Sequence, residues 1–188
     1  MPVSVSMELG KTLYVTNRKA WRSWLAEHHK TEKEIWLVYY KKNSKKRSIP
    51  YNDAVEEALC YGWIDSTVKR IGEESRAQRF TPRRENSPWS EMNKERARRL
   101  IKEGRMAKAG QAKIKDGLNE KFVVPKGILK AIKQDSVVWN NFKKFPLSYK
   151  RIRIGFIEGA RKRPTEFQKR LDYFVKMTRQ NKQFGMVK

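Results

Sequence analysis

Cysteine occurs once in the 188 residues, at Cys60, so an internal disulfide and a cysteine-based zinc site are both excluded. Histidine is nearly as scarce, and its two copies, His28 and His29, are neighbours. On a helix they face different ways, so they do not make the i, i+4 pair of a metal site. A Ser-His-Asp arrangement would have to draw on one of them beside the lysine-rich HHKTEKE, which reads as a solvated helix end. No apolar run approaches the roughly 20 residues needed to span a bilayer. The first ten residues, MPVSVSMELG, lack the basic start and apolar core of a signal peptide, so the expected location is cytoplasmic.

Acidic residues are also in short supply. Asp and Glu number 20 against 44 Lys and Arg, a net charge of +24. The surplus is densest after residue 120, where 18 Lys/Arg face 4 Asp/Glu, a local excess of +14. Such a field attracts polyanions, an acidic protein partner or an anionic lipid surface, and it also serves solubility. With 38% hydrophobic and 11% aromatic residues the chain still has the means to bury a core.

Local patterns lay out the elements. Residues 1–11 read as an arm or short edge strand leading to TLYV. Asn17 caps an expected helix over 18–28 with Ala20, Trp24 and Leu25 on one face. EIWLVYYKK is rich in β-formers and apolar on both faces, as a central strand is. A helix follows from Tyr51 with Val55, Ala58 and Leu59 inward, Cys60 beside them as an inert thiol, and Gly62 ending it left-handed.

WIDSTVKRI and RAQRFTPR flank GEES as a β-hairpin. If Asp65 pairs near Thr81 and Thr67 near Arg79, those four share a polar face, with Ile64, Val68 and Phe80 on the oily one. SPWSEMNKERARRLIKEG is a helix capped by Ser87 or Ser90 and ended by Gly104, with Asn93, Ala97, Leu100 and Ile101 inward. After it come helices near 107–116, 127–133, 135–143, 148–161 and 164–181, with Asp135 or Ser136, then Ser148, as caps and Pro164 in a first turn. The fold class is therefore α+β: a small antiparallel sheet with packed helices over residues 1–120, then a basic helical region over 121–188.

The phrases WIDS, FTPR, SPWS and GRM, in this order and followed by NFKKFPLSYKRIRIGFIEGARKRPTEFQKRL, resemble the YdeI/OmpD-associated family, also called OmdA or bacteriocin-protection. The resemblance runs through nearly the whole chain. It implies a role in protection against bacteriocins or cationic peptides and association with a porin, and it brings no agreed activity or cofactor. At residues 155–161 the chain reads GFIEGAR where the family tends toward W-I-x-x-A-K.

Two readings of the motif block stand side by side. In one, Arg79, Arg83, Arg84 and Arg105 gather near the helix start at Trp89, Ser90 and Asn93, with Trp63 and Trp89 as flat walls and Asp65 at the edge, to seat a phosphate, carboxylate or nucleobase. In the other, Asp65 pairs with Arg79 or Arg83, Asn93 bonds the loop backbone, and the tryptophans fill space. Catalysis is the less supported class, because Ser66, Ser87 and Ser90 have no histidine to serve them and an arginine-flanked Asp65 suits an ion pair. A nucleic-acid surface would use Lys94, Arg98 and Lys102, spaced i, i+4, i+8, and bind with little sequence preference.

Overall fold

The structure is a computed structural model, and it describes residues 9–114 and 118–185. Most of the expected arm over 1–11, and the end of the expected helix over 107–116, lie outside the described residues. The chain divides into two compact units, residues 1–87 with 99–115, and residues 88–98 with 116–188. Among the described residues no helix is long and apolar enough to cross a membrane.

The first unit is built on four strands, β1 (Thr12–Leu13), β2 (Ile35–Tyr40), β3 (Trp63–Arg70) and β4 (Ser75–Pro82), in the order β1-β2-β4-β3. β2 is interior, as its two apolar faces require. β4 pairs antiparallel with both β2 and β3, but β1 runs parallel to β2, so the sheet is mixed rather than purely antiparallel. The reason is the connection: α1 (Arg18–His28) lies between β1 and β2, and a helical crossover returns the chain in the same direction.

Asn17 caps α1 as expected, its side chain accepting from Ala20 N at 2.9 Å. The buried positions are Trp21 and Leu25, spaced i, i+4, while Ala20 is exposed, which corrects the expected face by one residue. Trp21 sets that rotation. Its ring lies 5.5 Å from Phe80 of the sheet, and its indole N–H donates to Ala54 O of α2 (Tyr51–Cys60) at 2.9 Å. Truncating so central an aromatic to alanine costs about 3–5 kcal/mol.

The hairpin forms at GEES, but in another register. Trp63 pairs with Pro82, Ile64 with Thr81 and Asp65 with Phe80; after a β-bulge, Val68 pairs with Gln78. Trp63 and Phe80 both belong on the buried face, and the two-residue period carries Asp65 there with them. The bulge absorbs one extra residue on β3. Its Ser66 carbonyl accepts from the buried Gln78 amide at 2.9 Å. Val68, expected on the oily side, is exposed.

The second unit holds the first residues of α3 (Glu91–Lys102), then α5 (Lys126–Lys133), α6 (Ser136–Lys144), α7 (Leu147–Glu158) and α8 (Pro164–Arg179); the short α4 (Lys108–Ala112) belongs to the first. Ser90 rather than Ser87 starts α3, its Oγ accepting from Asn93 N at 3.3 Å. Asp135 caps α6 through Val137 N at 2.8 Å and Val138 N at 3.2 Å, and Pro164 opens α8. α7 begins one residue before Ser148, behind Pro146, without a side-chain cap. Ile128 and Ile132, Val138 and Phe142, and Leu171 and Phe174 supply the core at helical spacing. The Asn141 amide satisfies the end of α8 by donating to Thr178 O at 3.0 Å.

Candidate functional site

The residues expected to share one pocket are distributed over both units: Trp63, Asp65, Arg79, Arg83, Arg84 and Arg105 in the first, and Trp89, Ser90 and Asn93 in the second. Within the first unit they go to separate partners. Asp65 accepts from the Tyr51 hydroxyl at 2.7 Å, and Arg79 donates to Glu34, its Nε at 2.8 Å. Trp63 is buried and gives its indole N–H to His29 O at 3.1 Å. Arg83, only 4% exposed, donates through Nη2 to Ser87 O at 3.2 Å, while its backbone N–H reaches Gly62 O at 2.8 Å, so it fastens the loop leaving β4. Burial pulls the Arg83 guanidinium below its ordinary value. Arg84 is exposed, and its carbonyl accepts from Ser87 N at 3.2 Å in the same loop.

Arg105 belongs to a network that the sequence did not announce. Glu57, 1% exposed in the last turns of α2, accepts from Arg22 Nη1 at 2.7 Å and from Arg105, with Arg18 Nε at 3.3 Å. Its neighbour Glu56 accepts from Arg18 and Arg99. At Arg22 burial opposes the charge, but the bonds to Glu57 and Cys60 raise its pKa overall. Burial, reinforced by Glu57, pushes the Cys60 thiol up, so it stays an uncharged core group. The signal in the sequence was the pair Glu56-Glu57 on the apolar side of α2, where acids persist only with partners.

EGRMAKAG completes this corner. Gly62 and Gly104 take the left-handed conformation at φ +74° and +66° and turn the chain at the ends of α2 and α3. Ala107 N–H donates to Cys60 O at 3.1 Å, and a Cβ on Gly110 would fall 2.3 Å from that same carbonyl oxygen. In the first unit the motif block is thus a packed junction of loops and helix ends.

The expected basic ladder is divided as well. Lys94 is held by Glu91 at 3.0 Å and Glu120 at 2.7 Å, and Arg98 by Glu95 and by Leu118 O at 2.8 Å. Asn93 accepts from Arg96 Nη1 at 2.9 Å. These lie in the second unit, and Lys102 is exposed in the first.

A different arginine meets the description of an anion seat. Arg153 of α7 is 7% exposed, and among the described residues it has neither a carboxylate within ion-pair distance nor a hydrogen-bond acceptor. Its surroundings are aromatic: the guanidinium carbon lies 4.9 Å from the ring centre of Phe184, 5.7 Å from Phe156 and 6.0 Å from Tyr149. Burial pulls the guanidinium below its ordinary value, with Tyr149 opposing. It lines a cavity of ≈170 Å³ together with Phe156, Arg170, Tyr173, Phe174 and Phe184.

Arg170 is already satisfied there. Its Nε donates to Glu166 at 2.7 Å and its Nη1 to Phe156 O at 2.7 Å, while its guanidinium stacks 3.8 Å from the Phe156 ring. Cation–π contacts are worth about 0.5–2 kcal/mol each and do not replace the hydrogen bonds a buried guanidinium loses. The arrangement can therefore hold an anion beside apolar walls. Sequence reasoning missed it, although Tyr149, Arg153 and Ile157 fall at i, i+4, i+8 with Tyr149 and Ile157 buried. An arginine on that stripe was the available signal. Among the described residues no group of three His, Cys, Asp or Glu is placed to hold a metal.

Residues 13–113 match the model of a family described as Domain of unknown function (DUF8412), and residues 121–181 match that of the OmdA family, described as Bacteriocin-protection, YdeI or OmpD-Associated. WIDS, FTPR, SPWS and GRM all fall within the first match, so the OmdA resemblance is carried by the helical region rather than by nearly the whole chain. No curated protein and no solved structure matches the chain.

Proposed function

The chain belongs to the DUF8412 family, whose model matches residues 13–113, and its residues 121–181 match the OmdA (YdeI/OmpD-associated) model; on that footing we propose that it is a binding protein that seats an anionic group on Arg153. The observation that carries this reading is a guanidinium 7% exposed with no carboxylate among the described residues. Burying an ion without a partner costs several kcal/mol, and a bound anion returns that cost as affinity. The anion-binding role expected for the motif block is thereby moved to the second unit, because Arg79 and Arg105 already end on Glu34 and Glu57.

The sign of the charge bears on the family description. A chain of +24 repels a cationic peptide, so a protective role would work through an anionic ligand or partner rather than by sequestering the peptide itself. The nucleic-acid alternative rests on the charge surplus alone, since Lys94 and Arg98 are held by carboxylates.

The test compares the protein with Arg153→Met, which keeps an unbranched side chain and removes the charge. Without ligand the variant should melt at a higher temperature. In acetate or phosphate, at ionic strength matched with chloride, only the parent protein should gain further stability and saturate. An equal gain in both proteins would assign the effect to the general surface charge and sink the proposal.

A further inference from the structure

Resting on the reading of Arg153 as an anion seat, we infer that its ligand is a single-ring aromatic monocarboxylate, with the carboxylate on Arg153 and the ring against Phe156, Tyr173 and Phe184. Charge selects the head group. Arg170 is compensated by Glu166 at 2.7 Å, so among the described lining residues Arg153 is the buried cation without a carboxylate, and Lys169, also in the lining, is exposed to solvent. One buried positive charge suits a monoanion, since solvent and salt screen an exposed lysine. A phosphate monoester would bring a second negative charge toward Glu166. The planar guanidinium fork matches a carboxylate with two parallel hydrogen bonds.

Size and lining select the body. A cavity of ≈170 Å³ is close to the roughly 150 Å³ of an apolar cavity that takes benzene, so it has room for one ring. Phe156 and Tyr173 are each 48% exposed at this cavity, unusual for large aromatics on so basic a surface. A flat ligand would cover both. The backbone at Gly185 packs against the guanidinium: a Cβ there would fall 2.6 Å from Arg153 Nη1 and 2.7 Å from Nη2.

Isothermal titration of the full chain with benzoate, acetate, inorganic phosphate and benzyl alcohol, at constant ionic strength, tests both statements separately. We expect one benzoate per chain, bound at least tenfold more tightly than acetate, phosphate or benzyl alcohol. Phe156→Ala should remove most of benzoate's advantage over acetate, and Arg153→Met should abolish the binding of both. Acetate or phosphate binding as tightly as benzoate would overturn the aromatic ligand and leave the anion seat standing. Benzyl alcohol binding as tightly as benzoate, or no saturable anion binding at all, would overturn the seat itself. Because Phe156 is half exposed, its truncation spares the core, and a cooperative thermal transition would show that the variant is folded.

Discussion

Arg22 Nη1 stands 2.7 Å from a carboxylate oxygen of Glu57 that solvent scarcely reaches, and the same arginine donates through Nη2 to the Arg105 carbonyl at 2.9 Å. α1, α2 and the turn after α3 are therefore joined through one buried acid. Glu57→Gln keeps the shape but leaves Arg18, Arg22 and Arg105 without their shared counter-charge, and it should cost about 3–5 kcal/mol. Arg105→Ala, at a more exposed partner, should cost less. Urea denaturation of the two variants checks the order, and a loss under about 1 kcal/mol for Glu57→Gln would mean that Glu56 takes over.

Gly110 and Gly127 make a matched pair. A Cβ at Gly110 would press on the Cys60 carbonyl at 2.3 Å, whereas at Gly127 nothing lies within 4 Å. Gly110→Ala should therefore destabilise by about 1–3 kcal/mol as the α2–α4 contact is forced open. Gly127→Ala, in the first turn of α5, should stabilise by roughly 0.4–1 kcal/mol by restricting the unfolded chain. Thermal melts of the two proteins should move in opposite directions.

Acid should weaken the first unit through Glu34. The hydrogen bond from Arg79 holds its carboxyl below the ordinary value of 4.5; burial opposes and the Trp36 indole assists. The unfolded chain thus binds the proton more readily than the folded one. The contribution is complete above the ordinary carboxylate value and disappears as pH falls through the depressed folded value. Glu34→Gln should cost about 1 kcal/mol near neutral pH and progressively less as pH falls below the ordinary carboxylate value. A penalty that stays constant across that range would contradict the assignment.

In the second unit Asp135 accepts from two backbone N–H groups at the start of α6 and lies 3.4 Å from Arg179. Asp135→Ala should cost about 1 kcal/mol, and Asp135→Asn, which can still accept both bonds, only a fraction of it. Equal losses for the two would transfer the effect to the exposed pair with Arg179.

Much of the element order was legible because it depends on neighbours in sequence. Asn17 and Asp135 cap their helices, Gly62 and Gly104 turn left-handed, and GEES closes the hairpin. What failed was phase. The face of α1 moved from Ala20 to Trp21, and the hairpin register moved so that Asp65 lies opposite Phe80. In both cases a tryptophan decided, because burying Trp21 and Trp63 outweighs the preference of any polar cross-strand pair.

The candidate site was legible only as chemistry. Lysine and arginine together outnumber carboxylates 44 to 20, so some had to lack a partner, but sequence distance does not say which. Arg79 and Arg105 found Glu34 and Glu57 at separations of 45 and 48 residues. Arg153 found aromatic rings instead.

By itself the sequence determined the α+β class, the helical tail, the basic surface and the absence of a disulfide, since composition, periodicity and capping are local properties. Tertiary structure alone decided which charges cancel. Coulomb attraction and desolvation act on distances in space, and the packing of α7 against α8 and Phe184 leaves Arg153 buried beside a cavity with no carboxylate partner among the described residues.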